Sequence, residues 1–205
     1  MTDSPPLRLG AFEVGDPLAR GGWTDRPIRL SLRGTGGTRY LPGNPGAFGG
    51  EVATRVRMSP VLRTDSFVGM SHGEREEWGG WLTLRTLRLG TGIAGQWHRQ
   101  RVDLSVGAGV EAVWVRQYIE SLEVDDADEP IETSVVDREQ LMPGAYGQVG
   151  VHLPVGPRAG VELGLRTHLM RALVDDLPQI LVEGQAYAGL TVGLGGRSVE
   201  RAGRR

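Results

Sequence analysis

From Val102 to Trp114 the chain reads VDLSVGAGVEAVW, and Val102, Leu104, Val106, Ala108, Val110, Ala112 and Trp114 alternate with Asp103, Ser105, Gly107, Gly109 and Glu111. Alternation at period two places the apolar positions on one face of a strand. Ordinary globular strands run about 5–6 residues, whereas a tilted membrane-crossing strand needs about 9–11. This segment is long enough to cross a bilayer.

The same pattern recurs along the chain. Ile28, Leu30 and Leu32 oppose Arg29, Ser31 and Arg33; Phe48, Val52, Thr54, Val56 and Met58 oppose Glu51, Ala53, Arg55 and Arg57. A weaker strand covers Asp65 to Met70, and a long one runs from Trp81 to Trp97. In the latter the apolar phase slips between Leu84 and Leu87, which predicts a bulge near Arg85 and Thr86. Three further strands carry Val149, Val151, Leu153 and Val155; Val161, Leu163, Leu165 and Leu169; and Ile180, Val182, Leu190, Val192 and Leu194. The tally is eight strands and no helix. Short links follow Met58, Trp97 and Val155, and longer ones are expected at 42–47, 73–80 and 121–143. Tight turns at one end and longer loops at the other are the asymmetry of an up-and-down membrane barrel, with the longer loops outside.

Strand number, alternation, turn asymmetry and the Gly-rich closing segments AYGQVGVHLPVGPRAGVELGLR and AYAGLTVGLG resemble the small eight-stranded outer-membrane β-barrels, the family of the OmpA transmembrane domain and OmpX. The resemblance covers residues 27–195 and implies an all-β, antiparallel transmembrane barrel in the bacterial outer membrane. Residues 1–26 read as a Pro/Gly-rich segment or linker without the pattern of a signal peptide, and 196–205 as an Arg-rich tail. Trp78, Trp81, Trp97, Trp114 and Tyr118 fall near strand ends, where interfacial girdles sit.

A soluble lipocalin-like barrel or β-sandwich also has one apolar face per strand, but points it inward. The polar faces decide between the two. They carry Gly107, Gly109, Gly150, Gly164, Gly189 and Gly193, which are disfavoured on a solvated strand yet useful where side chains crowd a narrow lumen. Leu104, Val106, Val110, Val151, Leu163, Leu165, Leu190 and Val192 are therefore expected to face lipid. The lumen would hold Arg29, Arg33, Arg55, Arg57 and Arg166 against Glu51, Asp103, Glu111, Glu162 and Glu183. Buried charges of balanced sign predict a cross-linked plug rather than a pore.

Composition limits the chemistry. With no Cys there is no thiolate site, and a net charge of −2 without basic–aromatic interleaving gives no footprint for nucleic acid. All 23 basic residues are Arg, which we attribute to base composition. No cofactor motif occurs. In the acidic stretch from Ile119 to Glu139, Asp125, Asp126, Asp128 and Glu129 form a candidate cation-binding loop, although the favoured expectation is a solvated, mobile outer loop without a metal. Through 121–143 that loop would contact lipopolysaccharide or an extracellular partner, while outer-membrane lipid surrounds the wall. His152 and His168 lie on polar faces of neighbouring strands and are expected to approach each other near Glu162. No His-x-Ser pair of the kind found in a barrel deacylase occurs among His72, His98, His152 and His168. The expected role is thus a non-enzymatic envelope anchor, adhesion or integrity module. A soluble barrel for a small hydrophobic ligand and a lipid-modifying barrel enzyme are the alternatives.

Overall fold

The computed structural model describes residues 26–39, 46–77, 80–99, 102–124, 130–174 and 177–195. Eight strands close in sequence order into one antiparallel barrel: β1 (Ile28–Arg39), β2 (Ala47–Arg57), β3 (Leu62–Glu77), β4 (Gly80–Arg99), β5 (Val102–Val124), β6 (Pro130–Pro154), β7 (Ala159–Val174) and β8 (Leu177–Leu194). The seam pairs β1 with β8, from Ile28 opposite Leu194 to Arg39 opposite Glu183. At the end carrying the chain termini, the turns are tight. Met58 N and Ser59 N both donate to the Leu62 carbonyl (2.9 and 3.1 Å), and Val155 N and Gly156 N to that of Ala159 (3.0 and 3.1 Å).

The pairing register fixes the barrel's shape. Followed from strand to strand, the line starting at Leu62 passes Gly95, Val106, Val149, Leu165, Ala186, Gly36 and Phe48 and returns to β3 at His72, ten residues further on. Eight strands with that stagger tilt by about 40° and leave a backbone radius of about 8 Å. Side chains can fill such a lumen. With that tilt, Trp97 on β4 and Trp114 on β5 lie about 28 Å apart along the axis, close to the height of a membrane barrel's apolar band.

Several expectations need correction. The Trp81–Trp97 strand has no bulge: β4 pairs without interruption on both sides, and the shift instead lies between Glu123 and Val124. The apolar phase changes because Leu84 turns into the barrel whereas Leu89 and Ile93 face out. The longer links expected at 73–80 and 121–143 are mostly strand, since β3 runs to Glu77, β4 starts at Gly80, β5 runs to Val124 and β6 starts at Pro130. Asymmetry between the two ends survives as strand overhang. Trp81 and Tyr118 belong to this overhang, about 10 Å above the Trp114 level, and are not girdle residues. Segments 1–25 and 196–205, together with Trp78 and the four acidic residues at 125–129, lie outside the described residues.

Candidate functional site

The wall is inverted relative to a soluble barrel. Leu104, Val106, Val110, Leu163, Leu165, Leu190 and Val192 are exposed on the outside, and Val151 is half-exposed beside them. This orientation excludes the lipocalin-like and sandwich alternatives, which require those side chains inside. The lumen, by contrast, holds the charges. Arg29, Arg33, Glu51, Arg55, Asp103, Glu111, Glu162, Arg166 and Glu183 are all buried. Arg57 is half-buried at the terminal rim, where its Nε donates to the Ser59 carbonyl (3.3 Å).

The buried groups form storeys. Nearest the termini, Asp103 accepts from Arg29 (3.1 Å), Gln96 (2.5 Å) and His98 (2.6 Å), and Arg63 donates to Gln96 (2.5 Å). Just above, Arg55 donates to Asp65 (3.0 Å), Glu162 (3.1 Å) and the His152 Nε2, and Arg33 spans Glu51 and Glu162. Arg166 occupies the middle. It grips Glu51 through two nitrogens (2.5 and 3.1 Å) while its guanidinium stacks 3.9 Å from the centroid of Phe67. The Phe67 ring meets Tyr146 edge-on (5.2 Å between centroids), and Arg33 lies 4.7 Å over Tyr187. A third polar storey joins His168 Nδ1 to both Glu111 oxygens (2.8 Å) and Arg88 to Glu183 (2.5 Å).

The lumenal glycines are space for these rings. A Cβ on Gly90 would sit 2.3 Å from Phe67, one on Gly164 2.3 Å from Tyr187, and one on Gly150 2.7 Å from the Tyr187 hydroxyl. Packing is correspondingly tight: the void bounded by Thr35, Glu51, Arg88 and Gln185 measures about 10 Å³, too small for more than one water.

Above the third storey the lumen changes character. Leu84, Val113, Val115, Met142, Met170 and Ala172 form a dry cluster with Leu181 packed against it. This cap, drawn from β4 to β8, lies at about the height of Trp114, above the polar column. The alternation reading missed it because these residues lie in phase with the polar face; Val113 within VEAVWV was the available signal.

Arg63, Asp65 and Arg88 were also missed. Thr64 and Ser66 give Asp65 no apolar contrast, whereas Arg88 between Leu87 and Leu89 was readable. The expected approach of the two histidines does not occur. His152 faces Glu162, with Nδ1 3.1 Å from its carboxylate, whereas His168 faces Tyr146 and Glu183. Six residues of β7, about 20 Å, separate Glu162 from His168. Among the described residues no cluster of three metal-ligating side chains occurs.

The fold has counterparts among solved structures. Neisserial surface protein A superposes with a TM-score of 0.59 at 14% identity, covering 82% of this chain and 96% of that one. A major outer membrane protein from Thermus thermophilus gives 0.50 at 13%, covering 80% and 98%. Ail, the attachment invasion locus protein of Yersinia pestis, gives 0.48 at 11%, covering 80% and 95%. No protein-family model and no curated protein matches the sequence. Strand number, closure and orientation thus make the chain an eight-stranded β-barrel of the outer-membrane type.

Proposed function

We propose that this outer-membrane-type barrel is a non-enzymatic module of the bacterial outer membrane, fixed there by its lipid-facing wall and presenting an outer β-arm for adhesion or envelope contact. The observation that carries this reading is the stratified lumen: among the described residues, three salt-bridged storeys lie beneath an apolar cluster, and His168 and Glu111 are buried within them. A general base needs a nucleophile and an accessible substrate. His168 is fully buried, and its Nε2 faces Gln185 (3.4 Å).

What extends outward is the β5–β6 hairpin. From Trp114 to Val124 it continues for ten residues, about 25 Å beyond the apolar band at the barrel's tilt. Its sequence is acidic and its strands pair to Val124 opposite Pro130. The partners proposed for it are lipopolysaccharide or an extracellular protein contacting 121–143.

Reconstitution into planar bilayers tests the plug: conductance indistinguishable from protein-free membrane is expected, and steady channel currents would overturn it. Replacing 120–134 by a tight turn should leave a heat-modifiable folded barrel while abolishing surface attachment of cells that display it. Unchanged attachment would sink the role of the arm. Turnover of outer-membrane lipid that disappears in H168Q would instead establish an enzyme.

A further inference from the structure

We propose that Arg85 seats the phosphate of an anionic lipid headgroup at the outer edge of the apolar band, in a cleft shared with Arg116, Thr83 and Tyr118. The proposal rests on the membrane placement above. Leu84 and Thr86 are buried, so alternation turns Arg85 outward, and its side chain is exposed. It stands two residues beyond the outward Leu87, about 30 Å above Trp97 and level with Trp114. Hydrocarbon gives way to headgroups at this height.

Arg85 lies in register between His72 on β3 and Arg116 on β5, and the next tier up aligns Glu74, Thr83 and Tyr118. Glu74, Thr83, Arg85, Arg116 and Tyr118 line a cleft of about 350 Å³ on the outer surface. The surrounding charges are already committed. Arg116 holds Asp137 (2.6 and 3.1 Å) and lies 3.5 Å from Glu139, while His72 contacts Glu74 (2.9 Å). Among the described residues, Arg85 has neither an ion pair nor a hydrogen bond. A guanidinium at the water–hydrocarbon boundary offers five donors in a planar fork that matches phosphate oxygens, with the Thr83 and Tyr118 hydroxyls as further donors beside it.

Arg171 provides an internal control. It is exposed at nearly the same height, but its register partner on β8 is Ile180. With no hydroxyl beside it among the described residues, Arg171 extends its head to water.

The test uses the full folded chain in detergent and native mass spectrometry, titrating phosphatidic acid against phosphatidylcholine of the same acyl chains. The wild type should retain phosphatidic acid preferentially, and R85Q should weaken that preference about fivefold, the worth of one basic residue at an anionic surface. R85K, which keeps charge but loses the fork, should fall between them, and R171Q should match the wild type. Unchanged binding in R85Q, or an equal loss in R171Q, would overturn the seat. Competition by inorganic phosphate at matched concentration would make it a site for free anions and overturn the lipid source. Heat-modifiability of the same samples, together with their need for detergent, reports separately on the membrane reading.

Discussion

Glu51–Arg166 and Asp137–Arg116 are the same chemical pair with nearly the same bond lengths, 2.5 and 3.1 Å against 2.6 and 3.1 Å, set in two different surroundings. The first has side chains no more than 2% exposed in the middle of the lumen; the second, on the outer arm, is 45% and 39% exposed. Geometry therefore does not determine what an ion pair contributes. In the lumen Glu51, Asp65 and Glu162 are each shared by two guanidiniums, and losing one partner strands a buried charge. On the arm water and salt replace whatever is removed.

The largest contrast should come from E51A, which leaves Arg33 and Arg166 facing each other in the lumen. A loss of about 3–5 kcal/mol is expected in urea unfolding from lipid vesicles, the range for breaking a buried pair. Molar salt should barely change this loss, since buried pairs are poorly screened.

The cap ranks next. M170A removes a fully buried side chain from the dry cluster and should cost about 2–4 kcal/mol in the same assay. G90A then tests whether the lumenal glycines are ring space: its Cβ meets Phe67 at 2.3 Å, and overpacking of this kind costs about 1–3 kcal/mol. The double variant with F67L should recover part of that loss. A cost unaffected by F67L would mean that the glycine serves the backbone instead.

D137N should have the smallest effect, with an unfolding curve that overlays the wild type. The Arg116 hydrogen bond holds the Asp137 carboxyl below the usual carboxylate range. With the folded pKa depressed, any stabilisation is present above the unfolded value of about 4 and is lost as pH falls through the folded one. Carbon NMR of the Asp137 carboxyl in wild type and R116Q should therefore show its titration midpoint rising when Arg116 is removed.

Part of this contrast is legible along the chain. Val102–Trp114 states which face is oily, and the glycines opposite its valines indicate that the oily face looks outward. Nine of the ten expected lumenal charges are buried. The arm was not legible, because a long acidic stretch without strong alternation reads as loop, whereas β5 and β6 support each other as a paired ribbon through Val124. Nor was the cap: Val113 and Val115 continue the polar phase, and an apolar residue there has no local signature separating it from a lapse in pattern. Asp65 was hidden between Thr64 and Ser66, which do not identify a face.

What the sequence determined by itself is the direction of most side chains in the wall, because strand alternation is a local property of the backbone and needs no partner. Which charges meet is decided only by closure. The ten-residue stagger brings Arg33 within reach of Glu162, 129 positions away, and lays Arg166 against Glu51 across the lumen. No local pattern encodes that offset, since it belongs to the ring of eight strands as a whole.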